Sequence, residues 1–274
     1  MIKPLTHSAD RSLDVNPELA APSDWMAGLK QGVLIAGAVL ALLFPPAQLA
    51  STRVSTSKSS VGDDGTLQVP RYADFLGEAA SDDVRFIANW VADSRDNREL
   101  SFVIIDKKHT RVFVFDASAK LIGATPVLLG AAAGDDSVTG IGKRPIEEVQ
   151  LQERTTPAGR FIAEPGRNTS GEDVVWVDYD AAVSMHRVRI VDPKERRLER
   201  LATPTSDDNR ISFGCVNIPV PFFENVLSPQ FKARYGVVYV LPEVKELREV
   251  FAAAYDHAEK RGWARSTAQA PAKM

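Results

Sequence analysis

Cysteine is almost absent from this chain: there is one, Cys215, in 274 residues. That excludes an intramolecular disulfide framework. An excess of charge of one sign is missing too, since 33 Lys and Arg against 36 Asp and Glu leave a formal net charge of -3. The balance offers no electrostatic basis for nucleic-acid binding. The four histidines, His7, His109, His186 and His257, do not cluster with acidic residues at ligand spacing, so neither a metal nor another cofactor is implied. The small-residue stretch Gly130 to Gly142 lacks a Walker lysine and a strand-to-helix setting, and reads as a loop. No internal repeat is visible. What remains is a composition of globular type, 44% hydrophobic and 25% charged, long enough for one large domain or two small ones.

A long apolar run is lacking as well. Residues 1–31 are polar, carry no apolar periodicity and are expected to be disordered. The run Gly32 to Phe44, after Lys30 and before Pro45 and Pro46, holds thirteen residues. That is short of the ~20 that span a bilayer comfortably but long enough for a signal-peptide core. Residues 32–50 are therefore expected to be a signal anchor or signal-peptide core, with the bulk of the chain exported. Cleavage is the less favoured form, because no small-x-small site is clear before Ala50. A buried core helix fits poorly, because the run is apolar on every face. Either export route leaves Cys215 outside the cytoplasm, where a free thiol calls for an explanation.

Residues 51–70 read as a Ser, Thr, Gly and Asp-rich linker, and 71–98 as a helical lead-in. Within it Val84, Ile87, Ala88 and Val91 have amphipathic-helix spacing after Ser81, an N-cap followed by Asp82 and Asp83. From 99 to 242 the period becomes that of strands. Phe102 to Ile105 and Arg111 to Phe115 form a hairpin around the polar turn Asp106 to Thr110, which makes His109 a solvated turn residue. Strands are expected at Leu121 to Leu129, Arg160 to Ala163, Val174 to Val177, Ala182 to Ile190 and Gly236 to Leu241, with a loop over 164–173. Pro221 to Leu227 is expected to be a short helix carrying Phe222, Phe223 and Val226 inward. Residues 243–274 should form a helix, Glu243 to Arg261, and a tail fraying from Ser266.

The chemistry concentrates at Ser212-Phe213-Gly214-Cys215-Val216-Asn217. A reactive cysteine needs a base or positive potential beside it and some exposure. Gly214 allows a sharp turn whose N–H groups could face an oxyanion, and His186 is the nearest preceding histidine that could take the thiol proton. From these residues alone a catalytic Cys–His pair and a buried structural cysteine are both open.

The segment resembles the active-site signature of the L,D-transpeptidase (YkuD-type) domain: a histidine, a spacer, then Ser/Thr-His-Gly-Cys-hydrophobic-Asn/Arg. Ser212, Gly214, Cys215, Val216 and Asn217 match the second half, and His186 matches the upstream histidine. The hairpin Phe102 to Phe115, the turn Thr156-Pro157-Ala158-Gly159-Arg160-Phe161 and Trp176 ahead of the histidine strand follow in the family's order. Three features depart from it. Phe213 stands where a second histidine is usual, Arg187 where a glycine is usual, and the spacer of 25 residues from 187 to 211 is long, the excess being the charged stretch Asp192 to Arg210. That stretch reads as a solvated face or as a cap over the substrate groove.

The resemblance implies a mainly β fold, a β-sandwich with a small mixed α/β subdomain carrying the cysteine and with flanking helices. It also implies peptide transfer on peptidoglycan stem peptides by a monomer in the bacterial envelope, periplasmic or otherwise extracytoplasmic, held at the inner membrane by the N-terminal segment. Cys215 would be the nucleophile, His186 its base, and the Gly214 and Cys215 N–H groups the oxyanion donors. Ser212 would orient His186 or hold the turn. Arg187, Arg189 and Arg210 are candidates for binding carboxylates. Trp176 and Phe213 are candidates for the groove wall, Phe213 more readily as a core anchor beneath the turn, and Asn217 is expected to brace the loop. Two alternatives remain: a hydrolase on the same scaffold, and a catalytically silent, membrane-anchored peptidoglycan-binding protein.

Overall fold

The computed structural model describes residues 70–232 and 234–260, all within the unit Thr66–Met274. The expected N-terminal lead 1–31, the apolar segment 32–50, the linker before residue 70 and the tail from Ser266 lie outside the described residues. Among the described residues no helix is long and apolar enough to cross a membrane.

The helix α1, Asp82–Ser94, starts where the sequence signals it. Ser81 Oγ accepts the Val84 N–H at 3.3 Å, and Asp82 and Asp83 lie in the positive first turn. Its buried stripe contains Val84, Ile87, Ala88 and Val91. This stripe packs on Phe102, Ile104, Phe113, Phe115 and Tyr239.

Those aromatic residues belong to an eight-stranded mixed sheet. Its members are β1 (Phe102–Asp106), β2 (Arg111–Phe115), β3 (Leu121–Pro126), β5 (Gly159–Arg167), β6 (Asp173–Asp178), β7 (Val183–Arg187), β9 (Val216–Ile218) and β10 (Gly236–Val240). Their order is β3-β2-β1-β10-β5-β6-β7-β9, with β1–β10 and β7–β9 parallel and the other neighbours antiparallel. A second sheet pairs β4 (Leu129–Gly130) with β8 (Arg210–Ser212) in parallel.

β5 joins the two halves of the large sheet. Gly159 to Ala163 pairs with β10, and Glu164 to Arg167 pairs with β6. The strand thus continues through residues where a loop was expected from 164, because β6 supplies a hydrogen-bonding edge that local composition does not reveal. The sheet curls so that both of its halves line one core. Val103, Ile105, Val112, Val114, Val238 and Val240 from one half meet Val175, Val177, Val183, Met185, Val216 and Ile218 from the other. The opposite face of β1, β2 and β10 is the one that α1 covers. The architecture is therefore mainly β with sandwich-like packing, as expected.

Other elements differ from the sequence reading as well: the strand expected over Leu121 to Leu129 divides into β3 and β4, and the one expected over Ala182 to Ile190 ends at Arg187. The helix expected over Glu243 to Arg261 is interrupted: it forms one turn, Leu247–Val250, breaks, and resumes over residues 257–260. The N–H groups of Glu243, Val244 and Lys245 are instead taken by the Asp135 carboxylate at 2.7–2.9 Å, and Phe251 leaves helical geometry as it and Ala254 join the α1-side core. The helical segment after the cysteine is longer than expected, running through Val220–Phe222, a π-type turn Phe223–Leu227 and Ser228–Phe231. The charged insertion is not uniformly solvated. It contains the helix α2, Arg197–Ala202, and Arg197, whose side chain is nearly buried, donates to Asn217 Oδ1 at 2.8 Å.

Candidate active site

Strand register assembles the site. β7 and β9 are parallel neighbours, with Met185 opposite Val216 and His186 opposite Asn217. Val183 and Met185 on β7, and Val216 and Ile218 on β9, point into the core. Alternation therefore sends Ser184, His186, Cys215 and Asn217 to the other face. Cys215 is partly buried, with Sγ 3.5 Å from Ala182 O and 3.7 Å from Ser184 Oγ.

His186 is partly buried beside the thiol. Its Nδ1 lies 2.7 Å from the Arg187 carbonyl, so that nitrogen carries a proton and donates it, leaving Nε2 to exchange a proton with the sulfur. Burial pushes the Cys215 thiol up, but the hydrogen bond and charge of His186 pull it down further, and the net shift is below an ordinary thiol. Burial likewise pushes His186 down, while its hydrogen bond with Cys215 and the thiolate charge hold it up, for a net rise. Opposite shifts on touching partners favour a thiolate–imidazolium pair.

The turn before β9 is held from two sides. Gly214 has φ +128°, and a Cβ there would lie 2.7 Å from Thr155 O. Thr156 Oγ1 donates to Gly214 O at 2.8 Å and accepts the Gly130 N–H at 3.0 Å. Ser212 Oγ donates to Cys215 O at 2.6 Å and accepts the Gly214 N–H at 3.1 Å. Ser212 thus holds the turn; the hydrogen bond to His186 that the sequence allowed for is not made, because both functions of the hydroxyl are engaged locally. The Gly214 N–H, expected to face an oxyanion, points at Ser212 instead. Phe213 is 37% exposed and carries the Arg154 guanidinium 3.8 Å from its ring centre. It is therefore not the core anchor that was favoured, because the left-handed Gly214 turns the backbone into the molecule and leaves the preceding side chain outside.

The remaining candidates are dispersed. Arg187 donates to Glu224 at 2.5 Å and to Asp173 O at 3.0 Å, and lies over the Phe223 ring. Arg210 forks onto Glu243 and donates to Lys107 O at 2.9 Å. Arg189 is half-exposed, 3.5 Å from Glu172. Asn217 is buried, bonding Arg197 and, at 3.3 Å, Cys215 O, while its backbone bridges Leu128. Trp176 pairs with Ser184 across β6 and β7, so it shares the cysteine's face, and its ring meets Tyr179 at 5.1 Å. His109 is an exposed turn residue 2.9 Å from Asp106.

A buried ionic network behind the turn was not legible in the sequence. Lys107, wholly buried, donates to Asp135 and Gly134 O at 2.6 Å and to Thr156 O at 2.8 Å. Asp135 is raised by burial but lowered more by Lys107 and three backbone N–H groups, to about 2. A lysine in a polar hairpin turn carries no local mark of such burial; only the chain returning at 135, 156 and 243 encloses it.

The solved structures similar to this chain include L,D-transpeptidases. The L,D-transpeptidase from Stackebrandtia nassauensis is 16% identical over 60% of this chain and 68% of its own, with a TM-score of 0.32. The catalytic domain from the E. faecium L,D-transpeptidase is 17% identical over 52% of this chain and 98% of its own, with a TM-score of 0.28. The Ldtfm-avibactam carbamoyl enzyme is 16% identical over 52% of this chain and 49% of its own, with a TM-score of 0.30. The match thus spans about half the length of that last enzyme. No protein-family model and no curated protein matches the chain by sequence.

Proposed function

We propose that this chain is a cysteine acyltransferase of L,D-transpeptidase type, acting on peptidoglycan stem peptides in cell-wall cross-linking or remodelling. The observation that carries the reading is the Cys215–His186 pair, held on one face of adjacent parallel strands with mutually opposed pKa shifts. The Cys215 thiolate attacks the carbonyl before the donor's terminal residue, forming a C–S bond and a tetrahedral oxyanion. The Cys215 N–H supports that oxyanion, a donor commonly worth about 3 kcal/mol. As the C–N bond breaks, imidazolium His186 protonates the leaving amine and a thioester remains. An acceptor amine then attacks the thioester, forming a C–N bond with His186 taking its proton, and the C–S bond breaks to return the Cys215 thiolate beside imidazolium His186; water in place of the amine gives hydrolysis. Trp176 and Arg189 border the open face, and the apolar segment 32–50 exports and tethers the chain outside the cytoplasm.

The test is intact-mass analysis of the protein with a carbapenem, the β-lactam class expected to acylate this family, beside Cys215→Ala and His186→Ala. An adduct that disappears with Cys215 and forms more slowly without His186 supports the reading. One observation favours a second reading, the silent binding protein: the Gly214 N–H is engaged by Ser212, which leaves the oxyanion with fewer donors. Absence of any adduct, together with retained sacculus binding, would select it.

A further inference from the structure

Two of the arginines that flank the site in sequence are neutralised, Arg187 by Glu224 and Arg210 by Glu243. Arg154 differs. Its Nε and Nη2 both donate to the Val149 carbonyl, at 3.3 and 3.1 Å, and among the described residues no carboxylate pairs with it. A carbonyl orients a guanidinium without cancelling its charge. The bonded edge is the Nε–Nη2 side, so the end-on pair, Nη1 with the outer N–H of Nη2, stays open; this is the edge that matches a carboxylate. Its Cζ lies 3.8 Å from the centre of the Phe213 ring, and a cation held over a ring face by its charge keeps N–H donors to offer elsewhere. The backbone is held as firmly, since Arg154 N donates to Leu151 O and Arg154 O accepts the Ala132 N–H at 3.1 Å.

The location is local to the thiol. Of the next two residues, Thr156 hydrogen-bonds Gly214 O and Thr155 packs its carbonyl against Gly214, and Phe213 is two residues from Cys215, a Cα separation of at most about 7.6 Å. The aromatic residue in place of a histidine thus serves as a seat for a cation. We propose that Arg154, seated on Phe213, binds the terminal carboxylate of the acyl donor one residue beyond the carbonyl that Cys215 attacks. This rests on the acyl-transfer reading of Cys215, and it makes Arg154 a specificity determinant for donors with a free carboxylate.

The test compares N-bromoacetylglycine with N-bromoacetylglycinamide, near-isosteres that differ in one negative charge. In each, the Cys215 thiolate displaces bromide from the methylene carbon, forming C–S as C–Br breaks, and the rate is followed by intact mass on the full chain. The carboxylate-to-amide rate ratio, normalised to a small free thiol at the same pH, is expected to be about tenfold above unity. Arg154→Met should bring it to unity, and Arg154→Lys, which keeps the charge but not the fork, to an intermediate value. A normalised ratio of one in the unmodified protein, or a raised ratio that survives in Arg154→Met, overturns the proposal while leaving Cys215 a working nucleophile. If neither reagent labels Cys215 when a smaller thiol reagent is also excluded, the acyl-transfer reading fails and this one with it.

Discussion

Gly214 combines a backbone angle of +128° with a Thr155 carbonyl 2.7 Å from where its Cβ would stand. A backbone atom cannot swing away as a side chain can, so Gly214→Ala must move the turn. We expect a loss of about 1–3 kcal/mol in unfolding free energy and a fall in Cys215 labelling, measured by denaturant titration and alkylation rate. The pH dependence of labelling is a second residue-scale prediction. The thiol is held below its ordinary value of 9.0, so reaction with a neutral reagent should reach its plateau at lower pH than for a free cysteine. His186→Ala removes the downward pull and leaves burial, which raises the thiol, so the inflection should move to higher pH. An unmoved inflection would mean that the imidazole does not activate the sulfur.

At the scale of elements, the site is a junction of β7, β9 and the turn 155–159, and Thr156 is its link. Its hydroxyl bonds Gly214 O and Gly130 N–H, and its carbonyl accepts from buried Lys107. Thr156→Val preserves shape but leaves buried polar atoms unpaired, which should cost about 1–3 kcal/mol and slow Cys215 labelling. Thr156→Ser, which retains the hydroxyl, should recover most of both. Recovery of stability without recovery of labelling would show that the link does not position the turn. Hydrophobic periodicity made α1 and the β1–β2 hairpin legible, because each forms largely within one stretch of chain. Strand β5 beyond Ala163 and the failed helix after Glu243 were not legible, since their backbone partners, β6 and Asp135, come from distant segments.

At the scale of the molecule, Asp135 ties the hairpin lysine to the chain at Glu243 to Lys245. Its folded pKa of about 2 lies below the ordinary 3.8, so its contribution is full above the unfolded value and is lost as pH falls through about 2. Unfolding free energy should decline by about 2 kcal/mol over that window. Asp135→Asn should flatten the slope in denaturant titrations run from pH 5 to 2. The sequence by itself determined the mainly β class, the cap and buried stripe of α1, and the nomination of Cys215 with His186, because alternation, capping and motif order are local properties of a chain. Only the tertiary structure decided that Ser212 serves the turn, that Phe213 lies outside under Arg154, that Arg187 and Arg210 are engaged by Glu224 and Glu243, and that Lys107 is buried. The physical reason for the last three is common: a side chain's role follows from the partner that neutralises, covers or accepts from it, and each of those partners arrives from a distant segment; for Ser212 the partners are local, and the geometry of the turn decides for them over His186.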